Sequence, residues 1–414
     1  MKAPALEVAE VMRAYGREYM QLYGDHMPAV HRKAMADMLD CRTPAMGGTT
    51  YHCPGCDHYH YSYHSCGNRN CNKCGNQRTQ QWLGQTGTLL LPVDHFMVTF
   101  TLPGELRRLA RSHQKLFYGL LMKCAAASLQ TLGWDSRYVG GQLAMMGVLH
   151  TWGRDLSYHP HVHMIVAGGG LWANEGLHLR QGCAGQVWLA ARPDFLMPVK
   201  ALSLIFSAKF RDALKKADPP LFASVHKPIW KQPWVVHSQS VGSGQAALKY
   251  LAQYVFRPAI SNKRLVSMAA GKVTFRWQHA QTNQWKTTTL DAIEFIRRYL
   301  QHVLLRGFVK VRYYGLYAHR HRGQLSRLCD TMKTTASDGI IPSSEQVDTL
   351  SPEAPSAKPV TCCHCGQSMF VVGTIPRSRH LSEWPHAPPA GSANHTGYRN
   401  HGLSILQNVP VNHQ

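Results

Sequence analysis

The sequence predicts an α+β fold in which an antiparallel sheet with flanking helices follows a helical, cysteine-rich N-terminal module. Strand-like and helix-like apolar spacings intermix along the chain, the pattern of that fold class. Two apolar runs, Leu143 to Trp152 and His161 to Ala167, flank a polar turn around Gly153 to His159, as an antiparallel hairpin would. Cysteines crowd early, five of the 12 lying between Cys53 and Cys74.

Residues 1 to 40 read as helical, because Val8, Met12, Tyr15, Tyr19 and Leu22 recur at three- and four-residue spacing. A cysteine-rich knot occupies about 41 to 80, and a helix around Asn76 to Leu91 ends at Pro92. The run from His95 to Phe100, closed by Pro103, reads as a strand, and Glu105 to Leu132 as one long helix. Gly168, Gly169 and Gly170 are expected to end the second hairpin strand. Residues 194 to 217 have helical spacing, Trp234 to Val241 reads as a strand, and a helix from about Gln245 to Phe256 stops before Pro258. Leu265 to Met268 and Lys272 to Trp277 form a further hairpin, and Asp291 to Leu305 a helix. Residues 333 to 360, rich in Ser, Thr, Pro and acids, mark a linker. The expected division is a helical, metal-binding and DNA-binding module at 1–91, a main domain at 92–330, a linker at 331–361 and a tail at 362–414.

The 414 residues carry 45 Lys+Arg against 23 Asp+Glu, a formal charge of +22. Residues 331 to 414 hold five bases and five acids, so the whole excess lies before them. Such an excess favours a polyanionic partner through phosphate contacts and counterion release. The N-terminus lacks the order of a signal peptide, and the apolar patches are too short and interrupted to span a membrane. The expected location is cytoplasmic, beside the nucleoid. In a reducing cytosol the cysteines point to metal rather than disulfides.

The segment from His150 to His163 is the most informative. On a strand, His161 and His163 face one side and Val162 the other; a preceding strand folded back could bring His150 to them. Three imidazoles bind a divalent cation and leave positions open for substrate. His159 competes as a ligand, but Pro160 limits its geometry. A lone His-x-His is commonly no more than a polar strand face.

Tyr250 and Tyr254 are four apart and share a helix face, so both hydroxyls could address one site. A phenol is a useful nucleophile for phosphoryl transfer because the phosphotyrosine diester conserves the bond energy. The bland alternative is an amphipathic helix packing on a sheet. The basic flank Arg257, Lys263 and Arg264 offers phosphate clamps.

Cys53-Pro-Gly-Cys56 and Cys71-Asn-Lys-Cys74, separated by 14 residues, have the spacing of a structural zinc ribbon closed by four thiolates, with Cys66, His52, His58 and His64 as possible substitutes or bystanders. Arg69, Lys73 and Arg78 nearby could contact DNA. Cys362 and Cys365 form half a site, which His380 or His386 could complete. From Arg297 to Arg322 there are seven bases and no acid, among them Arg298, Lys310 and Arg312, interleaved with Tyr299, Phe308, Tyr313, Tyr314 and Tyr317. This resembles a groove for single-stranded nucleic acid; buried aromatics with solvated bases are the alternative.

Taken in order, Cys41-Arg-Thr, Ser65-Cys-Gly-Asn-Arg-Asn-Cys71, Phe100-Thr-Leu-Pro103, Tyr158-His-Pro-His-Val-His through Leu171, Tyr250-Leu-Ala-Gln-Tyr254 and Tyr313-Tyr-Gly-Leu316 are similar to one family. The chain resembles the two-tyrosine rolling-circle transposases of bacterial insertion sequences, the insertion-sequence-ninety-one type, within the His-hydrophobic-His (HUH) endonucleases. That resemblance covers roughly residues 5 to 325. It implies an HUH endonuclease-like fold, His161 and His163 as ligands of catalytic Mg2+ or Mn2+, and 5′-phosphotyrosine links at Tyr250 and Tyr254. His150 as third ligand rests on a likeness to conjugative relaxases and on strand geometry. Single-stranded and duplex DNA at transposon ends and target are the implied partners, with oligomeric state left open. A zinc-ribbon regulator without catalysis, a plasmid relaxase or replication initiator, and a small-substrate metallohydrolase are the rival readings.

Overall fold

The computed structural model describes residues 6–87, 89–173, 186–255, 258–279, 282–337 and 359–378. The N-terminal helical span divides into α1 (Val8–Tyr23) and α2 (Ala29–Asp40), because Gly24–His26 form a tight turn and Pro28 opens α2, where a missing N–H costs no helical bond. The cysteine-rich segment contains a hairpin that periodicity did not reveal, β1 (Gly48–His52) and β2 (Tyr59–Tyr63), followed by α3 (Gly75–Gly87).

After β3 (Asp94–Thr101), the expected single long helix is two, α4 (Arg107–Ser112) and α5 (Gln114–Gly133). At His113, φ −119° and ψ 48° leave the helical region. β4 (Gln142–Trp152) and β5 (Tyr158–Ala173) form the expected antiparallel hairpin. β5 does not end at its three glycines. It runs on and pairs with β6 (Gln186–Ala190). Glycine there permits close approach: a Cβ at Gly170 would lie 2.9 Å from the carbonyl carbon of Gly141.

Next come α6 (Val199–Ala217), α7 (Pro219–Ala223), β7 (Val236–Ser243) and α8 (Gly244–Val255). β8 (Leu265–Ala269) and β9 (Lys272–Gln278) join through Ala270–Gly271, both with positive φ, as a two-residue hairpin turn requires. β10 (Trp285–Asp291), α9 (Ala292–Leu300), β11 (Val311–Gly315), α10 (Arg322–Ser337) and β12 (Phe370–Ile375) complete the described elements.

The main sheet has the order β11-β4-β5-β3-β7, with β6 also on β5; smaller sheets are β10-β9-β8 and β12-β1-β2. All pairings between these named strands are antiparallel. One face of the main sheet packs Val98, Phe100, Val162 and Met164 against Phe117 and Leu121 of α5 and Phe206 and Phe210 of α6. The opposite face packs Met97, Val148, Ile165 and Ala167 with Leu248 and Val255 of α8 and Leu325 and Leu328 of α10. A second core joins Val8, Met12 and Met35 to Phe275, Phe295 and Ile296, tying the N-terminal helices to β9 and α9. Within the segment expected as a tail from residue 362, β12 pairs with β1 of the N-terminal sheet. No described helix is long and apolar enough to cross a membrane.

Candidate active site and metal centres

The β4–β5 register sets His150 opposite His161 and Val148 opposite His163. Side chains alternate along each strand, so the three histidines share a face with Val148 and Ile165, while Val162 enters the other core. That shared face is the one α8 covers. Ring centroids lie 4.7 Å apart for His150 and His163, 4.8 Å for His161 and His163, and 5.3 Å for His150 and His161. One nitrogen from each falls within 4.8 Å of the others.

Second partners orient the rings. His161 Nδ1 donates to the His159 carbonyl at 2.7 Å, so its Nε2 keeps the lone pair a metal needs. Thr99 Oγ1, facing His163 across the β3–β5 ladder, lies 3.0 Å from His163 Nδ1. Burial holds His161 well below the ordinary imidazole range, with His163 adding to the effect; burial and then Lys310 push His163 down to about 4. Both rings are thus neutral at physiological pH, the form that ligates. His159 accepts from Arg107 Nη2 at 2.7 Å through Nδ1 and lies outside the group.

Lys310 reaches the cluster from the sheet edge, where its carbonyl accepts from Leu149 N–H at 3.0 Å. Its ammonium lies 4.8 Å from the centre of the Trp152 ring, which stacks on His150. It also donates to the carbonyl of Val255, the last residue of α8, at 3.0 Å. Desolvation, then the nearby Arg69, push Lys310 down to about 7. Arg69, from the cysteine-rich module, donates to the Phe308 carbonyl at 2.9 Å and lines one cleft with Trp152, Val255 and Lys310. Tyr250 and Tyr254 belong to α8, one turn apart; their side chains, and the whole of Arg257, lie outside the described residues.

The cysteines group otherwise than their order suggests. Cys53 and Cys56 do not meet Cys71 and Cys74. Cys71 and Cys74 join Cys41 and Cys66, whereas Cys53 and Cys56 join Cys362 and Cys365. The β1–β2 hairpin separates the two sequence-adjacent pairs, carrying Cys53 and Cys56 to its turn while Cys71 and Cys74 return to the end of α2. Sγ separations are 3.4 Å for Cys41 and Cys74 and 3.6 Å for Cys66 and Cys74. They compare with the roughly 3.8 Å edge of a tetrahedron with Zn–S bonds of about 2.3 Å. His380 and His386, the other ligands considered for Cys362 and Cys365, lie outside the described residues.

Residues 144–324 match the family model described as "Putative transposase", and residues 11–102 match "Transposase zinc-binding domain". The chain is 35% identical over 341 residues to "Putative transposase y4qJ" of Sinorhizobium fredii (strain NBRC 101917 / NGR234), across 78% of this chain and 83% of that one. It is 28% identical over 369 residues to "Transposase for insertion sequence element IS801" of Pseudomonas savastanoi pv. phaseolicola, across 83% of each. The chain belongs to the IS91 family of transposases. No solved structure matches it.

In this transposase the aromatics of the basic segment from Arg297 to Arg322 are buried at Tyr299, Phe308 and Tyr317 and half-buried at Tyr313 and Tyr314. Tyr299 donates to Asn70 O and to Asn72 Oδ1, and Tyr317 O–H lies 2.9 Å from His95 Nε2. Arg298 pairs with Glu294 at 2.7 Å, and Arg312 lies over the Phe308 ring. Arg264 donates to the Arg276 carbonyl at 2.7 Å, while Lys263 is exposed on the neighbouring turn. The transposase also carries residues not singled out from the sequence: Thr99, Trp152 and Cys41. Cys41 was visible in the family-like motif Cys41-Arg-Thr, where spacing alone gave it no partner, whereas Cys66, a possible substitute ligand by sequence, takes a full place in the group.

Proposed function

We propose that this transposase cuts and rejoins single-stranded DNA, with Tyr250 and Tyr254 as nucleophiles and His150, His161 and His163 as ligands of Mg2+ or Mn2+. The observation that carries this reading is the placement of three converging imidazoles on the sheet face covered by the helix bearing both tyrosines. The donor set fits a divalent ion and leaves coordination positions open. Such an ion, when bound, polarises the scissile phosphate. In the step itself a tyrosine oxygen forms a bond to phosphorus while the P–O3′ bond breaks. The phenol proton leaves, the departing oxygen is released as a 3′-hydroxyl, and a 5′-phosphotyrosine remains. The second tyrosine serves the second strand transfer of rolling-circle transposition.

Lys310 and Arg69 attract the scissile phosphate into the cleft that ends at α8, and Lys263 and Arg264 hold flanking backbone. The partners are single-stranded and duplex DNA at the element's ends and at the target, encountered at the nucleoid. The Cys41, Cys66, Cys71 and Cys74 thiolates hold a structural zinc that fixes Arg69 against the main domain.

The test is incubation of the full chain and labelled single-stranded end DNA with Mg2+ or Mn2+, resolved on a denaturing gel. A metal-dependent covalent adduct is expected, absent from the Tyr250→Phe/Tyr254→Phe and His161→Ala variants. Tight binding of the same DNA with no adduct would favour a regulator instead.

A further inference from the structure

The second cysteine group is carried by two hairpins of matching design from opposite ends of the chain. In the first, Cys53 N–H donates to His58 O at 2.9 Å, and Asp57, directly after Cys56, has φ 53°. In the second, Cys362 N–H donates to Gln367 O at 2.8 Å, and Gly366, directly after Cys365, has φ 75°. Each is a tight turn that presents two sulfurs on one side. Cys53 Sγ lies 3.3 Å from Cys365 Sγ, and Cys56 Sγ lies 3.5 Å from Cys362 Sγ. The strands behind the turns continue the match, since β12 pairs with β1 from Gly48↔Ile375 to His52↔Phe370. Behind the sulfurs Met369 and Tyr51 form only a very small apolar cluster with Cys53, Cys362 and Val360.

So small a core cannot by itself hold together two segments 306 residues apart in sequence, and four converging thiols supply what the packing lacks. We infer that Cys53, Cys56, Cys362 and Cys365 bind a second structural zinc, which clasps residues 359–378 to the N-terminal module. The four thiols release their protons as the tetrathiolate site closes. This zinc is separate from the one held by Cys41, Cys66, Cys71 and Cys74, so the chain carries two. It is a fastening rather than a DNA arm, because residues 48–64 contain no Lys or Arg and residues 359–378 contain only Arg377. Cys363 sits beside this site with His58 and His364, its Sγ 3.7 Å from His58 Nε2, and is not a ligand of the clasp.

Native mass spectrometry and elemental analysis of the full chain test the inference without reference to cleavage. Two zinc ions per chain are expected in the wild type, one in Cys362→Ser/Cys365→Ser, and two in Cys363→Ser. Backbone amide exchange should rise at β12 and β1 in the double variant while β4 and β5 keep their protection, which separates loss of the clasp from global unfolding. One zinc in the wild type, or two retained in the double variant, overturns the inference. Loss of an ion in Cys363→Ser would overturn the ligand assignment in favour of the His58, Cys363 and His364 group.

Discussion

The ammonium of Lys310 donates a 3.0 Å hydrogen bond to the carbonyl of Val255, where the helix carrying Tyr250 and Tyr254 ends. One half-buried cation thereby links that helix, the Trp152 ring stacked on His150, and the edge of the central sheet. Arg69, His161 and His163 are among the charged or titratable groups coupled to it. Burial lowers Lys310 to about 7, so it is charged below that pH and neutral above it. Its attraction for phosphate should fade as pH rises through about 7. Replacement by Arg keeps the charge throughout, so affinity for a single-stranded oligonucleotide, read by fluorescence anisotropy, should become flatter with pH in Lys310→Arg than in the wild type. Parallel profiles would remove Lys310 from the phosphate site. The linkage to folding has the opposite slope: the unfolded chain holds this proton more tightly, so the contribution of Lys310 to stability improves as pH rises from about 7 towards its ordinary range.

Thr99 presents its hydroxyl to His163 Nδ1 at 3.0 Å. Thr99→Val keeps the shape and removes the orienting contact. Manganese affinity, measured by calorimetry or electron paramagnetic resonance, should weaken about 10- to 100-fold, the usual consequence of losing a ligand's hydrogen-bond partner. An unchanged affinity would mean that the ring is held by packing alone.

Cys41→Ser leaves three thiolates in the group with Cys66, Cys71 and Cys74. Structural zinc supplies about 10–16 kcal/mol of apparent binding energy in small zinc-dependent folds. The variant should lose one zinc per chain and unfold at lower temperature, because Cys41, Cys71 and Cys74 belong to the same core as Phe275 and Phe295. Calorimetry together with metal analysis checks both. A variant that keeps its zinc and its unfolding temperature would contradict the assignment.

Gly315 closes β11 with φ 57°, and a Cβ there would come within 1.8 Å of the Leu143 carbonyl oxygen. Gly315→Ala should cost at least about 1–3 kcal/mol through backbone strain alone, before the clash. Thermal unfolding measures it. Since β11 delivers Lys310 beside His150, single-stranded DNA affinity should fall as well.

Much of the central domain was legible in the chain because it is built from local signals. Two apolar runs flanking a polar turn were enough to indicate β4 and β5, and with them a hairpin that could bring His150 to His161. Helix breaks were harder to read. The chain leaves the helical region at His113 without a proline or glycine there to announce it. β1, β2 and β12 escaped notice because their residues are largely exposed or half-buried and show no clean apolar alternation.

By itself the sequence determined the chemical inventory and the short-range geometry: three histidines on a strand pair, two tyrosines one helical turn apart, and three CxxC half-sites. Tertiary structure alone decided which half-sites close together and which bases face the histidines. The reason is physical. A CxxC turn places two ligands and leaves the other two to whatever the rest of the chain packs against it, and here the second pair comes from 306 residues away through β12 on β1. Lys310 likewise reads as one base among seven in its segment until the pairing of β11 with β4 brings it beside Trp152 and His150.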